Sequence, residues 1–178
     1  MIRVGLLAFA LLCCVNAPGK EVPAMPLTGI VLSLLDDDAI GYGTVQSHNQ
    51  KVVSTPHGIF TTHIRKSNTN STAQQWRLSR SVDGGKSFTT IFEDTHPTSA
   101  PDIEAERDGN LFFCRPDFLD GNAYLYRLNP SLPDAKPQIS RLTGGSAGKY
   151  CLLIDEPRQQ VYWFAHNNTF HVVALDGT

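Results

Sequence analysis

Three times along the chain, at a spacing of about fifty residues, a short apolar run, a turn and a second apolar run follow one another. The first copy is Lys51-Val52-Val53-Ser54, a turn at Pro56-His57-Gly58, and Ile59-Phe60-Thr61-Thr62. The second is Ile103-Glu104-Ala105-Glu106, a turn at Asp108-Gly109-Asn110, and Leu111-Phe112-Phe113-Cys114. The third is Leu152-Leu153-Ile154-Asp155, a turn at Pro157-Arg158-Gln159-Gln160, and Val161-Tyr162-Trp163-Phe164. Past residue 38 no segment sustains a helical period, and Gly, Pro, Asn and Asp punctuate the runs. Repeats of this length built from hairpins predict an all-β chain, because each unit alone leaves an apolar face that only a neighbour can bury.

Further strands are expected at Trp76–Ser81 and Phe88–Phe92 in the first unit, Ala123–Leu128 and Gln138–Leu142 in the second, and Phe170–Leu175 in the third. Between the last two strands of the first unit lies Ser81-Val82-Asp83-Gly84-Gly85-Lys86-Ser87-Phe88. Asp83 can accept backbone N–H groups as an Asx turn does, and Gly84 and Gly85 can take positive φ without Cβ strain. The pattern Ser81-x-Asp83-x-Gly85-x-Ser87-Phe88 resembles the Asp-box, or BNR repeat, of the sialidase-like β-propellers. The resemblance covers these eight residues. It implies four-stranded antiparallel blades, with the box between the third and fourth strands at a blade's outer edge, where its role is structural. Closed propellers use roughly four to eight blades. The expectation is therefore an incomplete propeller of about three blades over residues 47–178, in units of about 47–98, 99–147 and 148–178, after a lead segment and possible closing strand at 18–46.

The 178 residues carry a net charge of −2 and are 18% charged, which argues against nucleic acid as a partner. Arg3, the apolar run Val4–Val15 and Asn16-Ala17-Pro18-Gly19 read as a signal peptide over residues 1–17, hence a secreted or periplasmic protein with no membrane span after cleavage. Cys114 and Cys151 would then be the mature cysteines, read as two separate half-buried thiols on strands, with a disulfide as the alternative. Thr28–Leu35 suits a short helix or a strand. Asp36-Asp37-Asp38 lacks the glycine and distal Glu of a calcium loop and reads as a solvated turn. With no metal-ligand spacing or phosphate loop in the sequence, neither metal nor cofactor is expected.

In propeller enzymes the site lies where the innermost strands begin. Here those starts bring His48, Asp102, Lys149 and Tyr150 to one mouth: a base, a carboxylate, a cation and a phenol. His48, Asp102 and Tyr150 are the candidate catalytic groups, although a His or Asp opening a strand also serves to cap a turn. Arg65, Arg115 and Lys149 are the candidate substrate-binding cations, the two arginines falling at matching places after the second strands. The polar stretch after Arg65 also suits a surface residue. The resemblance implies a carbohydrate partner and exo-sialidase-type glycoside hydrolysis. Two alternatives stay open: a non-catalytic glycan- or protein-binding propeller, and a BNR-4-like polysaccharide lyase in which His63 would partner His48.

Overall fold

The computed structural model describes residues 32–39, 50–66, 74–94, 100–117, 120–142, 150–165 and 170–176, all within one compact unit spanning Val31–Thr178. These residues are all-β and form three antiparallel sheets. Sheet 1 is β1 (Val52–Thr55), β2 (Gly58–Lys66), β3 (Gln74–Ser81) and β4 (Thr89–Asp94), in that order. Sheet 2 is β5 (Asp102–Ala105), β6 (Leu111–Pro116), β7 (Ala123–Leu128) and β8 (Gln138–Leu142). Sheet 3 is β9 (Tyr150–Asp155), β10 (Gln160–Ala165) and β11 (Phe170–Ala174). Each sheet is a meander in which sequence neighbours pair, the cheapest connection for antiparallel strands.

Tight turns set the registers. Gly58 opens β2 at φ +131°, and a Cβ there would meet the Ser81 carbonyl oxygen at 2.3 Å, so only glycine lets β2 and β3 close. In β4 the register slips opposite Leu78 and Ser79, leaving Ile91 unpaired as a bulge. The slip places Phe92 opposite Leu78, on the face that meets sheet 2.

The sheets stack face to face with sheet 2 in the middle. Val53, Phe60, Trp76 and Leu78 of sheet 1 pack on Ile103, Leu111, Phe113, Tyr126 and Leu128 of sheet 2. Trp76 is wedged among Phe92, Phe113 and Tyr126 at centroid distances of 5.3, 5.5 and 5.5 Å, tilted against Phe92 and edge-on to Phe113 and Tyr126, the geometry that aromatic quadrupoles favour. The opposite face of sheet 2, with Phe112, Cys114, Ala123, Leu125 and Leu142, packs on Leu152, Val161, Trp163 and Leu175. Strand β6 is therefore buried on both faces along its whole length, which is why Leu111–Cys114 reads as an unbroken apolar run in the sequence.

The chain before sheet 1 departs from expectation. Residues 32–35 form neither helix nor strand, and Leu32 and Leu34 are 92% and 77% exposed. The segment lies over the outer face of sheet 1, from Ser33 Oγ, which donates to the Gly85 carbonyl, to Asp38, whose carbonyl accepts Lys66 N–H at 3.3 Å. Residues 28–31 lie outside the described residues.

Candidate functional site

In each meander the turn after the first strand lies at one end of the sheet and the first-strand start at the other. The starts of β1, β5 and β9 are tied together there. Ile103 N–H donates to the Gln50 carbonyl at 3.1 Å, and Thr62 Oγ1 donates to the Pro101 carbonyl at 2.6 Å. Lys51 Nζ donates to the Ala100 carbonyl at 2.7 Å and to Asp102 Oδ1 at 3.2 Å. Asp102 Oδ2 accepts Leu152 N–H at 3.1 Å. One buried carboxylate thus joins the first strands of all three sheets. Burial lowers the Lys51 pKa and the Asp102 charge works against that shift. Glu104, two residues along β5, has its carboxyl raised by burial and by the Asp102 charge.

Asp102, read from sequence as a catalytic carboxylate, is therefore engaged through both oxygens by its own chain. Tyr150 opens β9 opposite Ala165. His48 and Lys149 lie outside the described residues, so the mouth drawn from sequence is represented here by Asp102 and the backbone of Tyr150.

The two arginines occupy the penultimate positions of β2 and β6, at this same end. Both are buried, which corrects the surface reading of Arg65. The covering segment is the reason: Ala39 bridges to Arg65 and Asp38 pairs with its guanidinium, while Lys66 at the end of the strand stays exposed. Arg65 Nη2 pairs with Asp38. Arg115 Nε donates to Tyr126 Oη at 2.6 Å and Nη1 to Asp117 Oδ2 at 3.1 Å, while Tyr126 Oη donates to Asp94 Oδ2 at 2.8 Å. The Arg115 guanidinium also sits 4.8 Å from the Tyr124 ring centroid. A substrate carboxylate would have to displace these protein partners to use either arginine.

A third cluster, with Asp36 at its centre, is hard to find in sequence. Asp36 Oδ2 bonds His63 Nε2 at 3.0 Å and accepts from Arg77 Nη1 at 2.9 Å, and Arg77 Nε goes on to Glu93. Burial opposes the charge of Asp36, but the Asp38 N–H, His63 and Arg77 together hold its carboxyl below the usual range. Burial lowers the His63 pKa against the pull of Asp36, which favours the neutral imidazole with Nε2–H as the donor to Asp36, and Nδ1 has no hydrogen-bond partner among the described residues. The solvated-turn reading of Asp36-Asp37-Asp38 is corrected for Asp36, whose side chain is 4% exposed. The three carboxylates lie close enough together to suggest a cation site, yet Asp36 and Asp38 already neutralise Arg77 and Arg65. His63 is committed to this face and to Asp36.

The Ser81–Phe88 turn sits at the opposite end, between β3 and β4. Asp83 Oδ1 accepts Ser81 Oγ–H at 2.7 Å and the N–H groups of Lys86 and Ser87 at 3.0 Å each; Oδ2 accepts Ser87 Oγ–H at 2.6 Å. Ser81 Oγ in turn accepts Gly85 N–H at 2.8 Å. Gly84 and Gly85 hold φ of +73° and +88°. The hydrogen bonds from Ser87 and Ser81 drive the Asp83 carboxyl far below its ordinary range. This closed network organises a turn and leaves the carboxylate no chemistry to perform.

Among the described residues the two thiols are unpaired: Cys114 is buried in β6, and Cys151 is exposed on β9. No described helix is long and apolar enough to cross a membrane. No family model, no curated protein and no solved structure matches this chain.

Proposed function

We propose that the three sheets are consecutive blades of a sialidase-like β-propeller and that the protein handles carbohydrate by binding it. The Asp83-centred turn carries this reading: its serine, aspartate, glycine and serine bond to one another in the way that gives the Asp-box pattern a physical reason to exist. The meander order of the sheets, their face-to-face stacking and the joining of β1, β5 and β9 through Asp102 support the same reading. Binding is favoured over exo-sialidase hydrolysis because Asp102, Arg65 and Arg115 are each engaged by protein partners. The lyase reading loses its second histidine to Asp36.

A polar depression of about 270 Å³, lined by Asn110, Arg127, Asn129, Lys136 and Gln138 at the turn end of sheet 2, offers the amides and cations that sugar hydroxyls and acidic sugars use. The test is a glycan-array screen alongside a fluorogenic sialoside assay across pH. Retention of glycans without turnover is expected. Turnover abolished by Asp102→Asn at an unchanged melting temperature would overturn the binding reading in favour of hydrolysis, and neither retention nor turnover would remove carbohydrate altogether.

A further inference from the structure

The outermost faces of the stack differ in chemistry. Sheet 1 turns Thr61, His63, Arg65 and Arg77 away from sheet 2, and Asp36 and Asp38 of the covering segment pair with His63, Arg65 and Arg77. Sheet 3 turns Cys151, Leu153, Tyr162, Phe164, Phe170 and Val172 away from sheet 2, and Leu153, Phe164 and Phe170 are 55%, 49% and 59% exposed. Isolated exposed apolar residues are ordinary, but a contiguous face of them on a sheet marks a contact surface.

The register identifies that surface. Trp163 pairs with Leu152 as Phe113 pairs with Ile103, and each pair faces the preceding sheet. One step along, Tyr162 opposite Leu153 is the counterpart of Phe112 opposite Glu104, and Phe164 opposite Cys151 is the counterpart of Cys114 opposite Asp102. Phe112 and Cys114 are the residues through which sheet 2 receives sheet 3. The exposed face of sheet 3 is thus the same sheet-to-sheet contact surface, repeated once more.

We propose that this face seats the same face of a second copy of the chain, forming a two-fold dimer through sheet 3. The polar face of sheet 1 cannot serve as its partner, because His63 and Arg77 would lose Asp36 and meet only apolar groups. Head-to-tail stacking is thereby disfavoured, and isologous pairing of apolar face with apolar face remains. The rings are already ordered: Tyr162 stacks on Phe170 at 5.7 Å, and Phe164 lies 6.1 Å from Phe170, so little rotamer freedom is lost on pairing. A depression of about 330 Å³ between Cys151, Leu153, Tyr162, Phe164 and Phe170 gives room for a partner's aromatic side chain. The paired faces would bury on the order of 1,000 Å² in total, the lower limit for a specific interface, so the dimer should be concentration-dependent.

Sedimentation velocity of the intact chain from low to high micromolar concentration tests this. The expected result is a shift from one to two copies, abolished by Phe164→Glu and by Phe170→Glu and unaffected by Leu132→Glu, which adds a charge at an exposed apolar residue on the β7–β8 loop. Peptide-resolved alkylation of Cys151 should slow severalfold as the protein is concentrated. A monomer at every concentration, a dimer that survives Phe164→Glu, or one dissolved equally by Leu132→Glu overturns the proposal. If the glutamate variants fail to fold, the unsubstituted protein decides: Cys151 alkylated at the same rate throughout overturns it.

Discussion

Asp36 Oδ2 lies 3.0 Å from His63 Nε2, and this contact, spanning 27 residues of sequence, fastens a segment without regular structure to the middle of a sheet face. Burial lowers the pKa of the imidazole, while the hydrogen bonds and the Arg77 charge around Asp36 outweigh burial and lower that of its carboxyl. Segment and sheet are therefore linked through groups that titrate differently in the folded and unfolded chain.

A pH dependence with a definite sign follows. The folded-state pKa of His63 is lowered from 6.5, so above that pH the ring is neutral in both states and its contribution is complete. Below it the unfolded chain takes up a proton that the folded chain refuses, and stability falls as pH drops. Asp36, lowered from 3.8, adds its own loss only at still lower pH. His63→Gln, which retains an amide donor for Asp36, should flatten the melting-temperature profile just below pH 6.5; an unchanged slope would remove His63 as the cause.

Asp83 is exposed, yet four donors from three residues converge on its carboxylate. Asp83→Ala should lower the melting temperature and leave any glycan binding intact in the folded fraction. Ser81→Ala should act in the same direction. Carboxyl chemical shifts should show Asp83 still ionised where ordinary aspartates are half protonated. A normal titration, or loss of binding at full stability, would show that the turn does more than hold β3 to β4.

Much of the strand plan is legible in the sequence, and the reasons are local. β7 begins and ends where Gly121-Asn122 and Asn129-Pro130 interrupt apolar alternation, and the Asp83 turn is written in eight consecutive residues. The polar clusters are another matter. Asp36 looks like part of a solvated acidic turn because its two partners, His63 and Arg77, lie 27 and 41 residues away. Arg65 looks like a surface residue beside Lys66 because the partner that covers it, Asp38, lies 27 residues away. Asp102 looks like a catalyst because a carboxylate opening a strand carries no sign that Lys51 and the Leu152 amide will claim it.

Trp76 is fully buried between sheets 1 and 2, in contact with rings from both. Trp76→Ala should cost about 3–5 kcal/mol, because a cavity of that size between two pleated faces collapses only in part. Urea unfolding monitored by circular dichroism measures it. A cost below about 1 kcal/mol would mean that the two sheets do not share this core.

Asp102 and Lys51 give the sharpest separation of structure from chemistry. Both are buried, so Asp102→Ala strands the Lys51 ammonium and frees the Leu152 amide, a loss of about 3–5 kcal/mol. Lys51→Met with Asp102→Leu removes the charges together and should recover part of that loss, because the desolvation cost of the pair disappears with it. The single variants Lys51→Met and Asp102→Leu and the double, compared by urea unfolding, form the cycle. Strong coupling between the positions is expected from an internal tie between β1, β5 and β9. Additive effects, with the double no better than the sum of the singles, would mean that Asp102 is held for another purpose, and would reopen it as an acid–base group beside the raised carboxyl of Glu104.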